Sequence, residues 1–545
     1  MTTQPIRFYH QGRIVSVDGV HPTRTVLDWL REDARCTGTK EGCNEGDCGA
    51  CTVVIGELGP PAGTTAVPSL RLQTVNACIR FLPTLAGKAL FTVEDLRPIA
   101  GGALHPAQQA MVDCHGSQCG FCTPGFVMSL WAAYERHGDA ATRPTRQQLA
   151  DELSGNLCRC TGYRPILDAG QRMFDLPAAR LGRAPVVAAL QSLAAPAASA
   201  GATPATATPA DATSADALST GAASAQPTFE YAAPARHLPG AADRRDRFFA
   251  PRTLAALAAL RARLPGARLL AGATDIGLWV NKQFKDVGDL IYVGDVAELK
   301  RIATVDGTLV IGAGASLEQA WAALSARFEG LVDVWYRFAS PPVRHAGTMG
   351  GNVANGSPIG DAPPVLLALD ASLVLRTGNA RRSLPLAEFY LDYMKNRLAP
   401  GEFIEAIQVP LPPDGAPRPA VRAYKISKRF DCDISALLGA FALTRDAGGI
   451  VTSVRLAFGG MAAICKRAAA AEAALLGQPW GPASLAAAKA ALATDFKPLS
   501  DMRASDGHRL LVAGNLLERF WLETRTTDPL PADAVSVFAV MPHDA

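Results

Sequence analysis

Short stretches of alternating apolar and polar residues characterise the beginning of the chain. Residues 6–8 and 14–17 alternate with a period of two on either side of a polar turn, which predicts a β-hairpin. Two more strand-like runs lie at 51–55 and 74–79. We therefore expect a compact β-rich unit over residues 1–95.

After residue 95 the apolar positions follow helical spacing instead. Pro106 occupies the first position of one predicted helix, and Thr123-Pro124 caps and starts a second. Thr145 is the predicted cap of a third helix, and Arg164-Pro165 starts a fourth. These signals predict a four-helix bundle over residues 96–182.

A change of composition separates these two units from the rest of the chain. Residues 183–245 are rich in alanine, proline, serine and threonine and have little to bury, so we expect a linker without chemistry. Helical and strand patterns return over 246–420, and strands alternate with alanine-rich helices over 421–545. The predicted fold class is multidomain α+β, with an α+β third domain and an α/β C-terminal domain.

Composition and charge narrow the classes of function. A formal net charge of +3 over 545 residues predicts no nucleic-acid-binding surface. No uninterrupted apolar run reaches the length of a membrane span. The 12 cysteines are crowded into ligand-like groups, which indicates a reducing compartment rather than disulfides. Residues 1–4 lead directly into a predicted strand, so we expect no secretory signal and a cytoplasmic location.

Three cysteines close together form the most specific motif of the sequence. Cys43, Cys48 and Cys51 have the C-x4-C-x2-C spacing of plant-type [2Fe–2S] proteins, and Cys78 is the predicted fourth thiolate. The glycines between and beside them are expected to adopt positive φ and to aim backbone N–H groups at the sulfurs. The alternatives are a zinc knuckle or unrelated core thiols, although zinc sites usually pair two short C-x2-4-C arms.

A second group of four cysteines lies in the predicted helical unit. Cys119 and Cys122 form a C-x2-C pair, and Cys158 and Cys160 form a C-x-C pair, each at a predicted helix end. A C-x-C pair is shorter than an ordinary zinc-ribbon arm. Taken alone, this group would leave zinc open. Beside the first group it predicts a second [2Fe–2S] site and hence an electron relay.

Two glycine-containing segments are candidates for a nucleotide site. In the first, an apolar strand runs into Gly272-Ala273-Thr274-Asp275, a turn that suits a phosphate but also occurs in many unrelated proteins. The second, 347–361, combines paired glycines with polar side chains, and its alternative is a decorated surface loop. Neither a complete G-x-G-x-x-G motif nor a P-loop is present.

The order of these motifs resembles the molybdenum hydroxylases, the xanthine dehydrogenase family. The similarity lies in the segments 42–51 (GCNEGDCGAC), 118–125 (QCGFCTPG) and 155–163 (GNLCRCTGY). Residues 1–95, with their cysteine motif, resemble a plant-type ferredoxin, which implies a β-grasp fold for that unit. The segments after the linker resemble the FAD-binding domain of the vanillyl-alcohol-oxidase/carbon-monoxide-dehydrogenase type. The resemblance implies that Gln118 contacts molybdopterin, the alternative being a simple cap of the following turn. The FAD contacts that it implies are Leu269, Leu270, Ala271, Gly272, Ala273, Thr274, Asp275, Ile276, Phe338, Thr348, Met349, Gly350, Gly351, Asn352, Asp361, Ile404 and Lys425.

The resemblance also implies a role and partners. We find no glycine-rich pterin loop followed by a catalytic glutamate, so we expect no catalytic residue for hydroxylation in this chain. Molybdopterin is then expected on a larger partner subunit, in a dimer of heterodimers. Electrons from hypoxanthine or xanthine, oxidised to urate, would pass through the two [2Fe–2S] clusters to FAD and then to NAD+. The alternatives are the same role with aldehydes or N-heterocycles, and an iron–sulfur scaffold without flavin.

Overall fold

The computed structural model describes residues 3–61, 68–138, 143–194, 228–235, 243–413 and 415–536. Over these residues the predicted multidomain α+β class is confirmed, with four structural units that follow one another along the chain. None of the helices in this part of the chain combines the length and the apolarity needed to cross a membrane.

The first unit is a five-stranded mixed sheet with the strand order β2-β1-β5-β3-β4. Its elements are β1 (Ile6–His10), β2 (Arg13–Val17), the short helix α1 (Val26–Asp28), β3 (Thr52–Pro61), β4 (Pro68–Asn76) and β5 (Ala89–Phe91). The predicted hairpin is confirmed, because Ile6 pairs with Val17 and His10 pairs with Arg13. The strand predicted over 74–79 is too long: β4 ends at Asn76, whose side chain donates to the Gly46 carbonyl (2.7 Å), and Cys78 lies in the following turn.

The second unit contains the four predicted helices, preceded by a short one. Its elements are α2 (Leu96–Ile99), α3 (Pro106–Asp113), α4 (Thr123–His137), α5 (Arg146–Leu153) and α6 (Arg164–Arg172). Thr145 caps α5 as predicted, since its hydroxyl accepts a hydrogen bond from the Gln148 N–H (3.2 Å). Thr123 is the first residue of α4 rather than its cap, because the cap position belongs to Cys122.

The predicted linker over 183–245 is too wide at both ends. Helix α7 (Arg183–Ala194) buries Val186, Val187 and Leu190 and packs against β1 and β4. Strand β6 (Phe229–Pro234) pairs along its whole length with β7 (Arg245–Ala250). Composition hid both elements, because a few aliphatic or aromatic residues at the right spacing are enough to bury one face. Residues 195–227, the middle of that segment, lie outside the described residues.

The third unit contains two large sheets. The first sheet has the order β6-β7-β9-β8 and includes β8 (Arg268–Leu270) and β9 (Leu290–Tyr292), with α8 (Leu254–Arg263) and α9 (Ile276–Asn281) between its strands. The second sheet has the order β10-β11-β16-β12-β13. Its strands, in chain order, are β10 (Ile302–Val305), β11 (Thr308–Gly312), β12 (Ser372–Thr377), β13 (Ala380–Pro385) and β16 (Phe403–Pro410).

Five helices and a small hairpin complete the third unit around one large apolar core. They are α10 (Leu317–Ser325), α11 (Val332–Arg337), α12 (Pro341–Ala346), α13 (Met349–Asn355), α14 (Ala362–Ala368) and the strands β14 (Tyr390–Asp392) and β15 (Lys395–Asn396). The first sheet of this unit also shares a buried apolar cluster with the first unit, in which Ile79 and Ala273 both take part. The two units are therefore packed on each other through apolar contacts.

The C-terminal unit is an antiparallel sheet covered by helices. Its elements are β17 (Ala420–Ile426), β18 (Leu437–Arg445), β19 (Val451–Gly459), β20 (Lys466–Arg467), α15 (Ala469–Leu475), α16 (Pro482–Asp495) and α17 (Asp506–Thr524), with the strands in the order β17-β18-β19-β20. Aromatic side chains from the sheet and from α17 fill its core, with the Phe441 and Phe520 rings 5.4 Å apart. Its sheet also packs on α14 of the third unit.

Candidate cysteine centres and nucleotide cavity

The first group of cysteines converges in the structure as the spacing predicts. The thiol of Cys78 is within hydrogen-bonding reach of Cys43 and Cys51, and Cys43 also contacts Cys48. This crowding lowers the pKa of Cys43 far below that of a free thiol, because the Cys48 and Cys78 thiols donate to it. The contact with Cys43 and then burial raise the pKa of Cys48. The contacts with Cys43 and Cys51, and then burial, raise the pKa of Cys78.

Backbone N–H groups point at the sulfurs of this loop. The Asp47 and Cys48 N–H groups each donate to Cys43 Sγ (3.3 Å), and the Cys43 N–H donates to Cys48 Sγ (3.4 Å). Gly46 and Gly49 have positive φ as predicted, at 82° and 71°. Gly42, which precedes Cys43, does not have positive φ and is needed for a different reason: a Cβ there would lie 2.7 Å from Cys48 Sγ.

The second group of cysteines forms two contacting pairs, Cys119 with Cys160 and Cys122 with Cys158. The N–H and hydroxyl of Thr161 donate to Cys158 Sγ, at 3.5 and 3.3 Å. Burial raises the pKa of Cys158, but these hydrogen bonds outweigh it and lower the pKa overall. Burial, together with the contact with Cys158, raises the pKa of Cys122 to about 12. Cys119 and Cys160 are exposed, so this group lies at the surface of the second unit.

The donor sets fit two dinuclear iron–sulfur clusters. Among the described residues no group of three or more histidine, cysteine or acidic side chains is arranged to hold a single metal ion. A [2Fe–2S] cluster needs a different arrangement, because each iron takes two cysteine thiolates and two bridging sulfides. The N–H groups aimed at the sulfurs stabilise the negative charge of such thiolates. Each group thus offers four thiolates, together with N–H or hydroxyl groups that donate hydrogen bonds to the sulfurs.

A cavity of about 360 Å³ in the third unit collects most of the predicted nucleotide-binding residues. The predicted residues that line it are Leu269, Ala271, Gly272, Ala273, Thr274, Asp275, Ile276, Thr348, Gly350, Gly351, Asn352 and Ile404. They come from β8 and the turn after it, from the start of α9, from α13 and its cap, and from β16, which the fold brings to the same place. The two glycine segments, which are weak signals separately, therefore line one site.

Several polar groups of this cavity have no hydrogen-bond partner within the described part of the chain. None of the N–H groups of residues 271–275 donates a hydrogen bond within the described part of the chain. The Asn352 Oδ1 atom is buried and also lacks a hydrogen-bond partner there. Buried polar groups are nearly always hydrogen-bonded in folded proteins. A row of free N–H groups suits the phosphate groups of a nucleotide, so the residues present fit an FAD molecule.

Close backbone packing explains the glycines of the cavity. A Cβ on Gly272 would lie 1.9 Å from the Ala346 carbonyl oxygen, and one on Gly350 would lie 2.4 Å from Ala313 Cβ. Thr348 caps α13, with its hydroxyl accepting from the Gly351 N–H (3.1 Å). The turn after β8 is thus held against α12, and α13 against the end of β11.

Six predicted site residues do not line the cavity. Leu270 and Met349 are fully buried in apolar core. Phe338 packs on Trp321, with ring centroids 5.7 Å apart. Gln118 lies beside the second cysteine group, where its exposed amide donates to the Cys160 carbonyl (3.1 Å). Asp361 and Lys425 form a buried ion pair (2.6 Å), and both bond to Ser435. Asp361 and Lys425 therefore join the third unit to the C-terminal unit.

Sequence reasoning missed several residues of the cavity wall, namely Arg268, Trp279, Met394, Leu398 and Phe403. The guanidinium of Arg268 lies 5.0 Å from the centroid of the Trp279 ring, so a cation and an aromatic surface occur together there. The available signal was their position, since Arg268 begins β8 and Trp279 lies on α9, on either side of the predicted turn.

The cysteine centres and the cavity are connected by direct contacts. The Leu157 N–H donates to the Cys48 carbonyl (3.0 Å), which joins the loop of the second group to that of the first. On the other side, the Asn281 side chain at the end of α9 donates to the Cys78 carbonyl (2.8 Å) and to Asn44 Oδ1 (3.1 Å). Gly277 of α9 packs so closely on Ile79 that a Cβ would lie 2.9 Å from the Ile79 carbonyl oxygen.

Four protein families match consecutive parts of the chain. Residues 8–81 match the 2Fe-2S iron-sulfur cluster binding domain, and residues 92–171 match the [2Fe-2S] binding domain. Residues 244–412 match the FAD binding domain in molybdopterin dehydrogenase. Residues 422–524 match the CO dehydrogenase flavoprotein C-terminal domain.

Individual relatives extend over most of the chain. Xanthine dehydrogenase of Emericella nidulans is 34% identical over 523 residues, which cover 90% of this chain and 36% of that protein. Aldehyde oxidase 1 of Rattus norvegicus is 29% identical, over 88% of this chain and 36% of that protein. A chain of carbon monoxide dehydrogenase from Hydrogenophaga pseudoflava aligns with a TM-score of 0.47 and 30% identity, over 50% of this chain and 94% of that one. The chain spans about a third of the length of the curated relatives it matches.

Proposed function

We propose that this chain, which belongs to the molybdenum hydroxylase family, is the electron-transferring subunit of a xanthine dehydrogenase. Its membership of the family is shown by the combination of two [2Fe–2S] domains, an FAD-binding domain and a CO dehydrogenase flavoprotein C-terminal domain. Its cofactors would carry electrons from a molybdopterin centre on a larger partner subunit, where hypoxanthine and xanthine become urate, to NAD+. The hydroxylation base would then lie outside these 545 residues.

The observation that supports this proposal most directly is the unbroken series of contacts between the three sites. The surface cysteine group is joined to the buried one through Leu157 and Cys48, and the buried one is joined to the cavity through Cys78, Asn281 and α9. A protein that stored its cofactors separately would have no need for this order. Electron transfer does need it, since the protein's task is to hold the centres close together and in sequence.

In this role the chain's own residues bind and orient the cofactors. The eight thiolates of Cys43, Cys48, Cys51, Cys78, Cys119, Cys122, Cys158 and Cys160 would hold the two clusters. The free N–H groups of 271–275 would bind the FAD pyrophosphate, and the Asn352 oxygen would accept a hydrogen bond from the nucleotide. Arg268 would add a positive charge at the cavity wall.

The exposed side of the second cysteine group supports the existence of a partner. Phe121, which precedes Cys122, is 47% exposed, and Tyr163, three residues after Cys160, is 39% exposed. Large apolar side chains beside a surface redox centre suit a partner that brings its own centre close and excludes water. Gln118 lies in the same place, which is where the resemblance puts its contact with molybdopterin.

The same relay could serve another hydroxylase, and one observation favours keeping that candidate. Aldehyde oxidase 1 matches nearly as much of the chain as xanthine dehydrogenase does. The substrate pocket is proposed to lie on the partner, so this chain's residues do not discriminate between purines, aldehydes and N-heterocycles. The relay and the substrate are therefore tested as separate parts of one experiment.

The experiment is purification of the tagged chain from its native host, followed by molybdenum, iron and flavin analysis and an assay of xanthine-dependent NADH formation. A molybdenum-containing partner in equal amount, with that activity, is the expected result. Molybdenum and turnover of aldehydes or N-heterocycles, without xanthine turnover, would support the relay and overturn the substrate. Iron without flavin or molybdenum would overturn the relay in favour of a scaffold.

A further inference from the structure

We infer that Asn156 is a positioning residue that holds the two cysteine loops at a fixed separation and so sets the rate of electron transfer between them. The inference rests on the two-cluster relay proposed above. Asn156 lies two residues before Cys158 in the loop of the second group, and only 3% of its surface is exposed. Its side chain bonds to both cysteine units at once.

Every polar atom of the Asn156 side chain is used. Its Nδ2 donates to the Gly49 carbonyl (3.0 Å) and to Thr52 Oγ1 (3.1 Å), both in the first unit. Its Oδ1 accepts from Ser129 Oγ (2.6 Å) on α4 of the second unit. A buried amide whose nitrogen and oxygen are both hydrogen-bonded is held in one orientation, since any rotation would break several bonds in a low-dielectric interior.

The surrounding backbone leaves no space for the loops to shift. A Cβ on Gly49 would lie 2.3 Å from the Gly155 carbonyl oxygen and 2.6 Å from Asn156 Nδ2. A Cβ on Gly125, at the start of α4, would lie 2.2 Å from the Gly49 carbonyl oxygen. Gly49 lies between Cys48 and Cys51, so the absence of a side chain at Gly49 and at Gly125 lets this ligand-bearing loop contact the backbone of the second unit. Asn156 is the side chain whose hydrogen bonds hold this contact in place.

The Leu157–Cys48 hydrogen bond is the connection between the two cysteine loops that depends on Asn156. The Leu157 N–H donates to the carbonyl of Cys48, a ligand of the first group, and Leu157 is followed directly by Cys158, a ligand of the second. Asn156 precedes Leu157, so its orientation decides whether this short connection forms. The process concerned is the passage of one electron, in which one centre is oxidised as the other is reduced and no bond to the protein forms or breaks.

The decisive variant is Asn156→Asp in the full-length protein. Aspartate has the size of asparagine and keeps an acceptor for Ser129, but it presents an oxygen instead of an N–H donor to the Gly49 carbonyl. Asn76→Asp is the matched control. Asn76 is equally buried and donates to Gly46 in the same cysteine loop (2.7 Å), but it belongs to the first unit. Both variants lose one amide donor to that loop, and only one of them loses the bond between units.

The readout is the magnetic interaction between the two centres in the fully reduced protein, measured by electron paramagnetic resonance after iron and FAD contents are matched. This interaction falls with the inverse cube of the separation, so a small shift is visible. We expect Asn156→Asp to reduce the splitting and to slow electron transfer between the centres several-fold, with the splitting retained in Asn76→Asp. Where Asn156→Asp does not retain iron, Ser129→Ala, which removes only the bond to Oδ1, is measured instead.

The inference is overturned if Asn156→Asp with full iron content keeps the wild-type splitting and rate. Where Asn156→Asp does not retain iron, the same result in Ser129→Ala overturns it. An equal loss of splitting and rate in Asn76→Asp also overturns it. A wild-type protein without two distinct [2Fe–2S] signals would instead overturn the proposed relay itself. The two failures are therefore distinguishable in one series of spectra.

Discussion

Replacing Gly272 with alanine is expected to weaken FAD binding strongly without affecting iron. Gly272 lies in the turn after β8, and a Cβ there would be 1.9 Å from the Ala346 carbonyl oxygen and 2.2 Å from the Ala346 carbonyl carbon. Both atoms belong to the backbone of α12 and its end, so no flexible side chain can move aside. The turn itself must shift away from α12.

That shift would change the direction of the free N–H groups that follow Gly272. Inserting a methyl group into a packed site typically costs about 1–3 kcal/mol. If the turn has to return to its original position to bind FAD, this cost reduces the affinity. At about 1.4 kcal/mol for each factor of ten, the dissociation constant would rise about 5- to 150-fold.

The assay is titration of the deflavinated protein with FAD, followed by quenching of flavin fluorescence. Gly266→Ala is the control, because Gly266 precedes the same strand and a Cβ there would meet nothing within 4 Å. Iron content and the midpoint of urea unfolding verify that both variants are folded. An unchanged dissociation constant for Gly272→Ala would refute the assignment of this turn to FAD, and so would an equal loss in Gly266→Ala.

Three further predictions concern the metal, the domain interface and pH. Cys122→Ser should lose about half of the bound iron, while Cys114→Ser, in the same unit but in neither cysteine group, should lose none by iron analysis. Lys425→Met should lower the free energy of unfolding in urea by about 3–5 kcal/mol, because it leaves Asp361 buried without its cation, and adding Asp361→Asn should restore much of the loss. Burial lowers the pKa of His345 to about 4, so the unfolded chain binds a proton there at a higher pH than the folded protein does. Between pH 7 and pH 5 the wild type should therefore lose about 2 kcal/mol more stability than His345→Gln, and equal losses in urea titrations would contradict this.

Features that depend on residues close together in the chain could be predicted from the sequence. Cys43, Cys48 and Cys51 come from one tight loop, so their spacing alone indicates a shared centre. The helix start at Pro106 and the helix cap at Thr145 were predictable for the same reason, since both signals act within one turn. The linker prediction was wrong at its ends because composition averages over many residues, whereas burial of α7 depends on only three.

Between residues far apart in the chain, only the tertiary structure decides what meets what. The Asn281 side chain reaches Cys78 across 203 positions, and Asn156 reaches Gly49 across 107. No periodicity encodes such contacts, because they depend on how whole units pack. The same is true of Asp361 and Lys425, predicted at the flavin but paired with each other at a domain interface.

The sequence by itself thus determined the chemistry of this protein: eight thiolates in two groups, and two glycine-containing segments suited to a nucleotide. Ligand spacing and backbone freedom are local properties, and they can be read from adjacent residues. The tertiary structure alone decided the order of the sites, because the order depends on the apolar packing between units and on a few buried amides that hold their loops together.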